Sequence, residues 1–119
     1  MIQSQASNAV YLDYARQSMD EQVDYYGKIS SRAEILKDKE RYVARWPVRA
    51  YQMRSDTIRT SCVEGSSTCR VSGLLDYSLS NPSSGKKSSG AASFEFGIRF
   101  DASGGRITYE NGKTLSAQK

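Results

Sequence analysis

Any acid–base chemistry in this chain has to run on carboxylates, tyrosines and arginines, because its 119 residues include no histidine. That absence excludes Ser-His-Asp triads and Cys-His dyads and removes the commonest metal ligand. Two segments gather what is left, Val23-Asp24-Tyr25-Tyr26-Gly27-Lys28 and Asp38-Lys39-Glu40-Arg41-Tyr42-Val43-Ala44-Arg45-Trp46-Pro47-Val48-Arg49-Ala50-Tyr51. A buried Asp beside a Tyr can transfer a proton, so Asp24 or Asp38 with Tyr25, Tyr26 or Tyr42 is the one candidate acid–base set. Each of these residues also has a plainer role. Asp24 falls on the polar side of a helical pattern, and Asp38 can pair with Arg41 or Arg45, or bridge to Arg49. Tyr25 and Tyr26 flank a turn and can pack with their hydroxyls at a rim. Trp46 between Arg45 and Arg49 allows cation–π contact, which more often serves packing than ligand capture. No catalytic residue is therefore expected.

The net charge of +4 is concentrated in the middle of the chain, where residues 37–59 carry seven basic and three acidic groups. A local excess of this kind can meet an anionic partner. The candidate binding residues are Tyr25 and Tyr26 with Arg41, Arg45, Arg49 and Arg54, the arginines being expected free on a basic rim. Nucleic acid is not expected as the partner, although stacking platforms do interleave bases and aromatics, because Tyr42 and Trp46 belong to an apolar face. Lys86-Lys87 is too small a patch for phosphate recognition, and the glycines near it lack a strand–loop–helix setting. No cofactor motif is present. Cys62 and Cys69 supply too few ligands for a metal site. They flank a Gly/Ser-rich turn, so a hairpin would bring them together as a disulfide worth roughly 2–3 kcal/mol in the chain-entropy model. The alternative is two reduced, core-facing thiols. A disulfide places the domain in the periplasm or outside the cell.

These groups must be positioned by one domain, expected over residues 9–115, with a disordered lead-in at 1–8 and a tail at 116–119. Leu12, Ala15, Met19, Val23 and Tyr26 recur at steps of three and four, predicting an amphipathic helix from Ala9 to Tyr26 that Gly27 caps. Ser31-Arg32-Ala33-Glu34 is a capping box that opens a second helix, and Pro47 ends it. Strands follow. Tyr51 and Met53 share a face, then Ile58, Thr60 and Cys62 continue on the other parity, which calls for a kink near Ser55-Asp56. Pairing Cys62 with Cys69 sets Thr60 opposite Val71 and Ile58 opposite Gly73. Ser80–Gly90 reads as a low-complexity loop. Ala92, Phe94, Phe96, Ile98 and Phe100 alternate in the clearest strand, Ala102–Gly105 turns, and a short strand over 106–110 points Ile107 and Tyr109 inward. Asn111-Gly112 turns again before the tail. Two N-terminal helices packed on a curved antiparallel sheet of four or more strands make an α+β domain.

With that order, the segments around Tyr25-Tyr26-Gly27 and Asp38–Tyr51 resemble the cystatin-like, nuclear transport factor 2-like superfamily, in particular a bacterial envelope or secreted subgroup. The resemblance covers roughly residues 9–115. It implies helices packed in the concave face of a cone-like sheet. It also departs from the family, since no room is found for a third helix between the early strands. Enzymes of the superfamily place an Asp, His or Tyr inside the cone. This chain has a competent core without a full catalytic set, so the leading expectation is a non-catalytic accessory domain of a larger envelope or secreted protein. It would bind a protein segment, a neighbouring domain or a small apolar ligand at the mouth of the cone. A dehydratase- or isomerase-type enzyme using an Asp/Tyr pair is the alternative. A structural assembly module, or a homodimer formed through the sheet, is a third reading. No apolar run approaches the ~18 residues of a membrane span. Residues 1–5 lack the basic start and apolar block of a signal peptide, so a targeting segment is expected elsewhere in the parent protein.

Overall fold

The computed structural model describes residues 8–118, with side chains to Ser116. The elements in chain order are α1 (Asn8–Ser18), β1 (Met19–Tyr25), β2 (Lys28–Ser31), α2 (Arg32–Arg45), β3 (Val48–Met53), a single 3₁₀ turn (Ser55–Thr57), β4 (Arg59–Val63), β5 (Thr68–Asn81), β6 (Lys86–Asp101) and β7 (Gly104–Gln118). The strands form one seven-stranded sheet in the order β2-β1-β7-β6-β5-β3, with β4 also pairing β5. Only β1 and β7 run parallel. The fold is α+β, with both helices in the first 45 residues, as the sequence predicts.

The first helix is shorter than its apolar spacing suggests. It stops at Ser18, and the residues expected in its second half form the β1–β2 hairpin. Met19 and Val23 are both buried four residues apart, an even spacing that shares one face in a strand as it does in a helix. A strand with buried residues four apart thus imitates a helical step. Gly27 does take a left-handed conformation, at φ 84°, but in the hairpin turn and not at a helix end. Tyr26 precedes it at φ 52°, an unusual backbone for a bulky residue. Among the described residues there are two α-helices and no third, and α2 itself lies between β2 and β3.

α2 forms as its signals require. Ser31 Oγ accepts from the Glu34 amide at 3.2 Å, and the Ser31 amide donates to Glu34 Oε1 at 2.9 Å. Its buried positions are Ile35, Lys39 and Val43, one residue per turn of a single stripe. The Trp46 amide closes the helix on Tyr42 O at 2.8 Å, and Pro47 follows. Ile35 packs with Met19 and Val23, and Tyr25 and Ile107 lie against that cluster.

β3 and β4 share one neighbour, pairing with successive parts of β5. The 3₁₀ turn between them supplies the expected kink. Thr57 Oγ1 fills the gap in the ladder by donating to Arg54 O at 2.6 Å and accepting from the Leu74 amide at 2.9 Å. Cys62 and Cys69 face each other as a disulfide, and Thr60 pairs with Val71. The expected loop over Ser80–Gly90 is instead a tight turn at 82–85. The β5–β6 ladder runs on to Asn81 and Lys86, so pairing between long strands overrides the weak strand propensity of the serines and glycines. Asn111-Gly112 likewise does not turn. Both lie within β7, where a Cβ on Gly112 would meet Ser93 O at 2.4 Å, so the glycine permits close strand approach. β7 continues through Gln118 where a frayed tail is expected. The expected disordered lead-in lies outside the described residues except for Asn8, which begins α1.

Candidate functional site

The face of the sheet that carries the helices gathers six of the eight tyrosines, namely Tyr11, Tyr25, Tyr26, Tyr42, Tyr51 and Tyr77. Strand alternation explains most of this. Arg49 and Tyr51 are two apart in β3 and pair with Leu79 and Tyr77 of β5, so all four project under the helices. α2 contributes Lys39 and Tyr42 from its inner stripe, α1 contributes Tyr11, and the β1–β2 turn brings Tyr25 and Tyr26. Tyr25 pairs with Glu110 of β7, which pairs in turn with Phe96 of β6.

Two charged groups form the floor. Arg49 is 3% exposed and Glu110 7%. Arg49 Nη1 donates to Asn8 Oδ1 at 2.7 Å and to Trp46 O at 2.9 Å, while the guanidinium stacks over the Tyr11 ring at 4.8 Å. Lys39 Nζ donates to Glu110 Oε2 at 3.4 Å, and the Tyr26 hydroxyl reaches the same oxygen at 3.4 Å. The Lys39 ammonium also lies over the rings of Tyr11 and Tyr25, at 5.9 and 5.7 Å. Arg49 Nε and Glu110 Oε1 are buried without a hydrogen-bond partner. Such atoms are uncommon in folded proteins and call for an explanation.

The walls are hydroxyl-bearing rings, half-buried at Tyr25, Tyr42 and Tyr51 and exposed at Tyr26. Tyr42 and Tyr51 share a hydrogen bond between their hydroxyls. Burial pushes the Tyr51 pKa far above the ordinary phenol value, helped by the Tyr42 hydroxyl, and burial raises Tyr42 as well. Tyr26 is raised by burial and by the neighbouring Glu110 carboxylate, and Tyr25 by burial and its bond to Asp38. All four are therefore neutral at physiological pH. They can donate hydrogen bonds, but none is poised as a base or a nucleophile. At the rim, Tyr25 donates to Asp38 Oδ2 at 2.7 Å, and Arg41 lies 3.7 Å from Asp38 Oδ1.

The six candidate binding residues do not make one surface. Tyr25 and Tyr26 lie on the helix side, against Asp38 and Glu110. Arg41 is exposed beside Asp38, and Arg45 is exposed with its guanidinium 5.5 Å from the Trp46 ring. Arg54 makes two bonds to Asp76, at 3.1 and 2.6 Å. Arg49 corrects the expectation of a free basic rim most sharply, because the alternation that turns Tyr51 inward turns Arg49 inward too. Asp38 reaches Tyr25 and Arg41 and makes no bond to Arg49. Asp24 lies in β1 and not on a helix.

Lys39, Glu110, Tyr11 and Tyr77 join the site without having been singled out for it. Glu110 was hidden by a bulge. Gly97 pairs with Tyr109 and Ile98 with Ile107, leaving Thr108 as an extra residue. The parity of β7 therefore flips, so Glu110 faces the helices and Tyr109 faces away, against the expected inward Tyr109. On that outer face Arg70 stacks on Tyr109 at 3.8 Å and pairs with Glu95 at 3.2 Å. An open groove of about 700 Å³ lies beside them, lined by Arg59, Ser72, Leu74, Glu95, Asn111 and Lys113, among others.

No protein-family model and no curated protein matches the sequence. Solved structures do match the fold. A nuclear transport factor 2-like superfamily protein from Salmonella enterica serovar Typhimurium superposes with a TM-score of 0.75 at 8% identity, covering 92% of this chain and 80% of its own. A protein with a cystatin-like fold from Caulobacter vibrioides gives 0.72 at 9% identity, covering 92% and 79%. A candidate scytalone dehydratase from Novosphingobium aromaticivorans gives 0.73 at 8% identity, covering 93% and 78%. The chain thus has the cystatin-like, nuclear transport factor 2-like fold, and at these identities the likeness speaks for the fold alone.

Proposed function

We propose that this chain is a non-catalytic binding domain that takes a small ligand into the tyrosine-lined recess between its helices and sheet. One observation carries the reading. Two buried polar atoms, Arg49 Nε and Glu110 Oε1, lie without partners in a floor walled by tyrosines. Apolar walls with a few convergent polar groups are the usual form of a ligand site. The chemistry speaks against catalysis. No histidine is present, the four tyrosines stay protonated, and the carboxylate of the shortest Tyr–carboxylate contact, Asp38, is shared with Arg41.

A dehydratase- or isomerase-type enzyme is the second reading. It rests on the Tyr25–Asp38 pair and on the fold shared with the candidate scytalone dehydratase. The setting we favour is a larger bacterial envelope or secreted protein. The Cys62–Cys69 disulfide is compatible with an oxidising compartment, and among the described residues no helix is long and apolar enough to cross a membrane. A fragment screen followed by amide chemical-shift mapping tests the binding reading. Shifts clustering on Tyr25, Tyr26, Arg49 and Glu110 support it, and shifts only on the outer face overturn it. Turnover of any fragment would move the assignment to the enzyme.

A further inference from the structure

We infer that the ligand of the recess is a small organic monocarboxylate with an aromatic or apolar body, docked on the free edge of Arg49. The inference rests on the binding reading above and adds the chemical class of the ligand.

The direction of the unused hydrogen bonds is the first reason. Arg49 spends Nη1 on Asn8 and Trp46, while Nε has no partner. Nη2 makes no bond to any described residue either. Nε and Nη2 lie on one edge of the guanidinium and point the same way. That edge is the fork a carboxylate accepts side-on with two parallel bonds. The Tyr42–Tyr51 contact is one hydrogen bond between two hydroxyls, so one of the two protons remains to be donated elsewhere. The hydroxyls of Tyr11 and Tyr77 donate to no acceptor among the described residues. Against these donors stands one unmet acceptor, Glu110 Oε1, beside the Lys39 ammonium.

Proximity and charge complete the case. Tyr11 lies directly under the Arg49 guanidinium. Tyr42 and Tyr51 both feel the Arg49 charge, which opposes the effect of burial on them, and Tyr42 also senses Tyr11 and Tyr77. The unused donors are thus one cluster at the β3 side. Within the recess Lys39 and Arg49 are cationic and Glu110 is anionic, leaving one positive charge in excess. Asp38 does not cancel it, being paired with Arg41 at the rim. A monoanion restores neutrality, an ammonium ligand is repelled, and a dianion overshoots. A planar carboxylate also matches the guanidinium edge, and tyrosine rings suit a flat apolar body.

The test is a matched panel titrated into the whole chain and followed by amide and arginine side-chain resonances. Benzoate and phenylacetate represent the carboxylates, benzyl alcohol the neutral class and benzylamine the cations. The carboxylates should bind at least about tenfold more tightly than the other two, with the Arg49 Nε resonance shifting most. Tyr51→Phe, which keeps the ring, should weaken benzoate a few-fold, and Arg49→Lys, which keeps the charge but loses the fork, should weaken it about tenfold or more. If Arg49→Lys unfolds, Tyr51→Phe and the Arg49 resonance still decide. Equal or tighter binding of the alcohol or amine overturns the carboxylate while leaving the recess a ligand site. No shift at the recess from any class overturns both.

Discussion

Replacing Lys39 by Met should destabilise the domain by about 3–5 kcal/mol, the usual cost of stranding one partner of a buried ion pair. The structure puts this pair in that regime. The side chains of Lys39 and Glu110 are 11% and 9% exposed, and their charged atoms are 3.4 Å apart. Met keeps a flexible apolar chain of similar length in the lysine's place. What is lost is the charge that compensates Glu110. That carboxylate already has one unpartnered oxygen, and it would keep only the 3.4 Å bond from Tyr26 on the other. A domain of this size is stable by roughly 5–15 kcal/mol, so the change would remove a large share and lower Tm by about 10–20 °C. Urea unfolding followed by Trp46 fluorescence measures it. The decisive partner is Lys39→Met with Glu110→Leu, because removing both charges together is often near neutral. The double variant should recover at least half of the loss, giving a coupling energy well above the ~0.5 kcal/mol error of additivity. A cost below about 1 kcal/mol for the single change would show that water screens the pair. The pair would then not be buried as the structure places it.

Three further outcomes follow from other parts of the fold. Gly112→Ala should cost about 2–3 kcal/mol in denaturant unfolding, since the new methyl would sit 2.4 Å from the backbone oxygen of Ser93, which cannot swing aside. Reducing the disulfide should add one pair of hydrogens to the intact mass and lower stability by about 2–3 kcal/mol. Amide exchange should then rise first in Arg59–Val63 and Thr68–Ser72, because β4 buries no side chain and leans on β5 alone. At high pH the near-ultraviolet tyrosinate signal of the folded protein should lag behind that of the urea-unfolded chain. The fold favours the neutral forms of Tyr25, Tyr26, Tyr42 and Tyr51, so their contribution is complete below the unfolded value of about 10 and is lost as pH climbs beyond it. Superimposable titrations would refute the burial of these hydroxyls.

What the sequence reveals divides along local against long-range causes. The capping box at Ser31, the stop at Pro47, the parity change between β3 and β4 and the Cys62–Cys69 register all follow from neighbouring residues, and each is found in the structure. The misreadings come from pairing between distant segments. Met19 and Val23, four apart, share a face in a strand as in a helix, and pairing with β7 makes the segment a strand, while the Thr108 bulge turns Glu110 inward and Tyr109 outward. Ser88 and Ser89 become strand only because Leu79 and Ser78 lie opposite them. The site suffers most from this, since Glu110 cannot be recognised without the bulge. Arg49 could have been, because it shares its parity with Tyr51.

The recess and the core are made of the same residues, and that has a consequence for variants. The fully buried apolar set is small, with Ile35 and Val23 its most enclosed side chains, and much of the remaining interior bulk is tyrosine. A tyrosine ring removes apolar surface from water while its hydroxyl stays at a polar boundary, so it can hold a fold together and still present donors to a ligand. Trimming a wall ring to Ala would therefore confuse binding with stability, whereas Tyr→Phe separates them. At Tyr51 the ring and its packing remain, but the hydroxyl shared with Tyr42 is lost. A change in affinity larger than the change in stability assigns that hydroxyl to the site. The reverse ordering assigns it to the core. The elements that anchor the strands lie largely away from the recess, in the disulfide, the Thr57 patch and the long β5–β6–β7 ladders. They provide a frame on which such single-atom changes can be made without loss of the fold.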